Sequence, residues 1–258
     1  MKKTKVLFVG AHHEEIEAEC PNLAASLAMA GCDVTVLNPV GGWNWTYIRS
    51  LGEGARERIL ANSEAAAKEL GVRKTVWDYP VSRLEKHKAE LMEQMADFVL
   101  ELNPEIVFMH WPEDCHADHR FIAKLTAHVL RTAPGISEKP YPDYRMAKEI
   151  YAFQTGVGQA YGFVPDLLVK TTPETMERSD RAIDCFASTH KDTGFWKASF
   201  HAKAAYWANH TPEHTPAEAL KFLGPQLPLD GFLLKKLLGD LVVAAPFDRL
   251  IYNSAFQW

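Results

Sequence analysis

Apolar positions along the chain fall into short unbroken runs, separated by longer stretches with helical spacing. The first run, Lys5 to Val9, comes straight out of the N-terminus and stops at Gly10. Residues 34–37, 75–79 and 106–109 repeat the shape. Unalternating runs of this length read as parallel strands buried on both faces. Between them, residues 23–30 are small and apolar and stop at Gly31, and residues 57–70 close at Gly71. Residues 84–102 place Leu91, Met95, Phe98, Val99 and Leu102 at three- and four-residue steps before Asn103-Pro104. These stretches predict helices with ordinary stops, and another is expected over 118–131. The order is β-α-β-α-β-α-β-α, for which right-handed crossovers give parallel strands. The expected fold class is α/β, an open, mostly parallel sheet with helices on both faces. Further on, 150–153 and 166–170 read as strands and 174–187 as a helix. The aromatic-rich stretch 195–222 reads as two helical pieces broken near Pro212. The Leu-rich stretch 229–244 suits a core helix and strand or a subunit contact.

In the common doubly wound order the first and fourth strands are neighbours, and the loops after them diverge at a switch point. That topology would set residues 12–15 opposite residues 116–119. Both loops are rich in histidine and carboxylate. His12, His13, Glu14, Glu15 and Glu17 follow the first strand, and His110, Asp114, His116, Asp118 and His119 follow the fourth.

Composition narrows the class. A chain of 258 residues with 47% hydrophobic and 24% charged residues can bury a full core as a soluble globule. It reads as a single domain over 1–258, with a core over 4–220 and an apolar C-terminal extension over 221–258. The net charge of -5 recommends no nucleic-acid partner. No apolar run approaches the roughly eighteen residues of a membrane span. Met1-Lys2-Lys3 resembles an export start, but the apolar segment behind it is short and leads into the His/Glu cluster. A cytoplasmic chain is expected. Cys20, Cys32, Cys115 and Cys185 are scattered without metal-type pairing and read as reduced thiols.

Zinc hydrolases use three nitrogen or carboxylate ligands and leave one position open. His12 and Glu15, three apart on one loop, and His119 from the other make a His/Glu/His set for one Zn2+ per chain. Glu14 adjoins the ligands and is placed to take a proton from bound water, although a mere solvated neighbour of Glu15 is the plain alternative. His116, three before His119, points toward the same opening if the turn is helical. Asp118 or Asp114 can hold a histidine ring in one tautomer. Trp43 and Trp45 end the second strand in a glycine loop on the same rim. They offer flat apolar faces to a sugar ring or other cyclic group, or one of them anchors the core.

Gly10-Ala11-His12-His13-Glu14-Glu15-Ile16-Glu17 resembles the Ala-His-Pro-Asp-Asp opening of the LmbE-like family, the PIG-L-type N-acetylglucosaminyl deacetylases. His116-Ala117-Asp118-His119 resembles that family's His-Pro-Asp-His signature, and residues 64–72, 163–169 and 216–219 are similar to family segments, so the likeness spans about 4 to 220. It implies a Rossmann-like fold and a zinc-dependent hydrolase in which metal-bound water attacks the amide of an acetylated amino sugar or sugar conjugate. It also implies a substrate arginine, matched loosely by Arg58 with Arg56 nearby, and, with the apolar C-terminal stretch, a homo-oligomer. His116 or the protonated Glu14 would serve the leaving amine, and a protonated His116 would face the developing negative charge. Departures are plain: both signature aspartates are glutamates, its proline is His13, and Phe186 and Thr189 stand where the family carries histidine and glutamine. A metal-dependent amide or ester hydrolase on another substrate, and a catalytically silent sugar-binding relative, are the alternatives.

Overall fold

Val6 to Val9 and Ile106 to His110 are buried at every position, as strands covered on both faces require. A computed structural model describes residues 3–156 and 159–245 of the chain. In chain order the elements are β1 (Lys5–Val9), α1 (Glu15–Glu19), α2 (Pro21–Met29), β2 (Asp33–Val40), α3 (Thr46–Ser50), α4 (Ala55–Leu70), β3 (Arg73–Tyr79), α5 (Lys88–Leu102), β4 (Ile106–His110), α6 (Ala117–Ile136) and β5 (Glu149–Phe153). There follow β6 (Leu167–Lys170), α7 (Pro173–Asp184), α8 (Thr193–Ala208), β7 (Ala217–Gly224), α9 (Leu233–Leu238) and β8 (Val242–Ala244). The strands form one eight-stranded sheet in the order β3-β2-β1-β4-β5-β7-β6-β8. The pairs from β3 to β5 are parallel, whereas β7 and β8 run against the rest.

Alternate side chains of each strand feed the two faces, as a period of two dictates. Val6 and Phe8 of β1 meet Leu23 and Leu27 of α2 and Leu70 of α4. Leu7 and Val9 meet Leu91, Met95 and Val99 of α5 and Ile122 and Val129 of α6. The Ala-rich stretch of α2 is buried almost throughout, so that helix lies close on the sheet.

Three expectations are corrected. The second part of 195–222 is not helical: α8 ends at Ala208, and Ala217–Gly224 is strand β7. Its Ala, Glu, Leu and Lys are good helix formers, but backbone pairing with β5 on one side and β6 on the other overrides propensity. The helix expected over 118–131 continues to Ile136, with Pro134 inside it. The first turn of 84–102 is a 3-10 segment at Leu84–His87 rather than α-helix. The 220/221 boundary falls within β7, while α9 adds Leu234 and Leu238 to the core and β8 pairs with β6 at the sheet edge. The remainder of the extension, 246–258, lies outside the described residues. Among the described residues no helix is long and apolar enough to cross a membrane.

Lys74 of β3 ties the first loop to this frame. Its ammonium donates to both oxygens of Glu17 at 2.8 Å and to the His13 carbonyl at 2.5 Å, with both charged partners buried. Lys74→Met leaves Glu17 buried without its counter-charge, so a loss of about 3–5 kcal/mol of unfolding free energy is expected in urea titration. A loss below about 1 kcal/mol would show that the pair is not holding the loop.

Candidate metal centre

β1 and β4 are neighbours, so the loops that leave their C-terminal ends meet. Gly10 permits the sharp departure from β1: a Cβ there would lie 2.8 Å from Asn38 Nδ2 and 3.3 Å from Glu15 Cβ. Asn38 of β2 donates to the Gly10 and His12 carbonyls and pins the loop. On the other side, His116 caps α6, its Nδ1 accepting from the Asp118 N–H at 3.2 Å.

Glu15 is the hub. Its Oε1 lies 2.6 Å from His12 Nδ1 and 2.5 Å from His119 Nε2, and its Oε2 lies 2.6 Å from His110 Nε2. Oε2 also accepts from the His12 N–H at 3.0 Å. Carboxylates behind the histidines orient them. Asp118 Oδ2 lies 3.1 Å from His12 Nε2 and accepts from the Ser82 N–H at 2.9 Å. Asp114 Oδ1 pairs with His119 Nδ1 at 3.1 Å and accepts from the His116 N–H at 2.7 Å, while Thr155 donates to Oδ2 at 2.5 Å. The two nitrogens that remain, His12 Nδ1 and His119 Nε2, both face Glu15 Oε1.

Charge follows from this packing. Burial would raise the Glu15 carboxyl, but His119, His110 and His12 hold it well below its ordinary value. Burial opposes charge on His12 and His119, yet Glu15, with Asp118 and Asp114 behind them, lifts the two to about 9 and about 11. Burial, with His12 and His119 nearby, lowers His116. With Nδ1 accepting on the helix cap, the neutral form of the ring carries its N–H at Nε2. Burial pushes Glu14 up to about 7, and its Oε2 is buried without a hydrogen bond.

These donors fit a divalent cation. Ligand atoms of Glu15, His110 and His119 lie within 4.8 Å of one another, as do those of His12, His116 and His119. His110 Nε2 faces the Ala11 N–H at 2.9 Å and Glu15 Oε2 at 2.6 Å, and one ring nitrogen cannot accept from the first and donate to the second. That crowding of lone pairs is what a buried cation relieves. Since the Nδ1 lone pair of His116 is spent on the cap, His110 is the better fourth member of the cluster. Sequence reasoning placed His110 just after the fourth strand and did not include it in the ligand set. Its position as the last residue of β4, pairing with the loop after β1, was the available signal.

The remaining candidates divide. Trp45 lies with its ring 4.9 Å from that of His12. Trp43 is stacked 6.1 Å from His13, but its indole N–H donates to Asp78 at 2.6 Å and Arg56 covers its ring. Arg58 is not brought to the cluster: its guanidinium donates to the Leu51 and Glu53 carbonyls. Phe186 is fully buried in the core, its ring 6.2 Å from that of His13 and 5.7 Å from that of His190. Beside Asp118 a cavity of about 670 Å³ opens, with Leu84, Met92 and Phe121 in its wall and Arg83, Lys88 and Lys124 among the lining cations.

An open α/β sheet with a buried His/carboxylate cluster at its switch point defines a class of Rossmann-like hydrolases with a candidate metal centre. Within that class, residues 7–130 of the chain match the profile of the PIG-L (GlcNAc-PI de-N-acetylase) family. No curated protein matches the chain in sequence. Several solved structures share the fold. The 4-carboxy-2-hydroxymuconate hydratase GalB of Pseudomonas putida is 18% identical with a TM-score of 0.70, covering 87% of this chain and 98% of its own. A conserved protein of Thermus thermophilus is 20% identical with a TM-score of 0.69, covering 88% and 98%. The N,N'-diacetylchitobiose deacetylase of Pyrococcus horikoshii is 19% identical with a TM-score of 0.68, covering 85% and 84%.

Proposed function

We propose that the protein is a zinc-dependent hydrolase that removes an N-acetyl group from an amino sugar or sugar conjugate. The observation that carries this reading is the convergence of His12 Nδ1, His119 Nε2 and Glu15 Oε1, with Glu14, whose Oε2 is buried without a hydrogen bond, next to Glu15 in the chain. Mixed nitrogen and oxygen donors suit zinc, whereas magnesium takes mostly oxygen. His12, Glu15 and His119 would hold the ion, and His110 would press on Glu15 from behind. A cation bound there supplies Lewis-acid polarisation of the amide carbonyl and acidifies water toward neutrality.

Glu14 takes the proton of the attacking water, a task its elevated pKa suits. As a carboxylic acid it then returns the proton to the departing amine, which leaves poorly unless protonated. His116 presents its Nε2–H to the negative charge that gathers on the former carbonyl oxygen. Asp118 and Asp114 keep His12 and His119 turned inward. Trp45 offers its face to the sugar. The family match and the named deacetylase relative support the substrate class.

A second reading has its own support. Phe186 is core, Arg58 is spent on a turn, and cations line the cavity beside Asp118. Those features favour a metal-dependent amide or ester hydrolase whose acyl substrate carries an anionic group. Release of acetate or another acid from a panel of acetylated amino sugars, simple acyl amides and acyl esters, each with and without a carboxylate or phosphate, separates the two. Turnover on the sugars that is lost to a chelator and restored by zinc supports the first reading. Turnover confined to the anionic non-sugars supports the second. No turnover on any member by fully zinc-loaded protein removes both and leaves a ligand-binding relative.

A further inference from the structure

Outside the Glu15 cluster, a second group of ligand-type side chains closes on itself. His13, Glu14 and His190 place one ligand atom each within 4.8 Å of one another. His13 is fully buried and His190 nearly so. The hydrogen bonds around His190 suit one tautomer. The Thr189 hydroxyl has one proton, donated to the Phe186 carbonyl at 3.2 Å. It accepts from Asn62 Nδ2 at 2.8 Å, so its remaining contact, His190 Nδ1 at 3.0 Å, is a second incoming donor. His190 therefore carries its proton on Nδ1 and turns the Nε2 lone pair toward His13. A histidine held in this way by its outer nitrogen is the usual arrangement behind a metal ligand.

His13 then faces acceptors on both sides. Its Nε2 is 3.3 Å from His190 Nε2, and its Nδ1 is 3.3 Å from Glu14 Oε2 without a hydrogen bond. A neutral imidazole has one N–H, so whichever nitrogen carries it, the other meets an acceptor lone pair to lone pair. With Glu14 ionised, a cation among the three would accept the lone pairs that His13, Glu14 and His190 turn toward one another. Tyr47 completes the rim, its hydroxyl 2.5 Å from His190 Nε2.

We propose that His13, Glu14 and His190 form a second site for a divalent transition cation such as zinc, next to the centre built on Glu15. Two imidazoles and a carboxylate are a sufficient protein set for zinc, with Tyr47 or water completing the shell. On binding, the Tyr47 hydroxyl gives up its contact with His190 Nε2. Filling the site commits Glu14 as a ligand and withdraws it from proton transfer.

Metal counting tests this without any substrate, so it stands or falls separately from the proposed reaction. Protein equilibrated with buffered free zinc and then analysed for metal is expected to hold about two ions per chain. His190→Gln and His13→Pro are each expected to hold about one. The ion they retain shows that the fold and the Glu15 centre survive, and thermal melts check the same point. A parent that binds a single ion under saturating zinc overturns the proposal. So do variants that still bind two.

Discussion

A Glu15→Gln protein is expected to hold about one divalent cation fewer per chain than its parent and to turn over at least about a thousandfold more slowly. Both oxygens of this side chain are occupied, one between His12 and His119, the other between His110 and the His12 amide. Glutamine preserves the size, but its NH2 has to point at one of these groups, and its oxygen bears no charge. Among the described residues it also removes the only carboxylate in direct contact with all three imidazoles. The orienting aspartates remain, so the histidines keep their places while the ligand between them is lost. That separates this change from loss of an orienting partner, which typically costs about ten- to a hundredfold. Glu15→Asp should fall between, since it withdraws the same charge by one methylene in a frame shaped for the longer arm. Metal analysis and acid-release assays on the same preparations read both effects. Unchanged metal content with turnover within about threefold of the parent would strip Glu15 of its central role.

For Glu14→Gln the split runs the other way. The ion at the Glu15 centre should be retained while turnover drops about a hundredfold or more, the cost of removing a general base. The amide keeps the shape of the carboxyl but cannot accept a proton. The pH profile offers a second readout. Burial raises Glu14 to about 7, so its basic form accumulates as pH rises, and kcat/KM should climb through an acid limb at or below that value. A nearby cation favours the carboxylate and moves the limb down, never up. In Glu14→Gln the limb should vanish together with the rate. Turnover within about threefold of the parent would pass the role to His13, because Asp118 is already engaged by His12 and the Ser82 amide.

The sequence was legible where each strand ends in its chemistry. Apolar runs stopping at Gly10 and at His110 set β1 and β4, and the doubly wound order made them neighbours, so the meeting of residues 12–15 with 116–119 followed from topology. Contacts made by chain far from either loop were not legible. His190 lies 177 residues beyond His13 and reaches it only because α7 lies against α1 and α2. β7 was hidden by its composition, since helix-forming residues become strand when two neighbours are waiting to pair with them. Arg58 was assigned from a family position, while its actual partners are carbonyls of the turn just before its own helix.

Glu218 illustrates what the late strands do for the early ones. From β7 it accepts the N–H groups of Asn22 and Leu23 at 3.0 and 2.7 Å, capping α2 in place of a residue of its own loop. Lys203 of α8 likewise holds Glu19, and Thr155 holds Asp114. The stretch that carries the family likeness is therefore not a transplantable module. Grafted elsewhere or cut out at residue 130, it would keep its signatures and lose the clamps that give them their geometry. Substitutions in the half of the chain beyond residue 130 can therefore silence the centre without touching it.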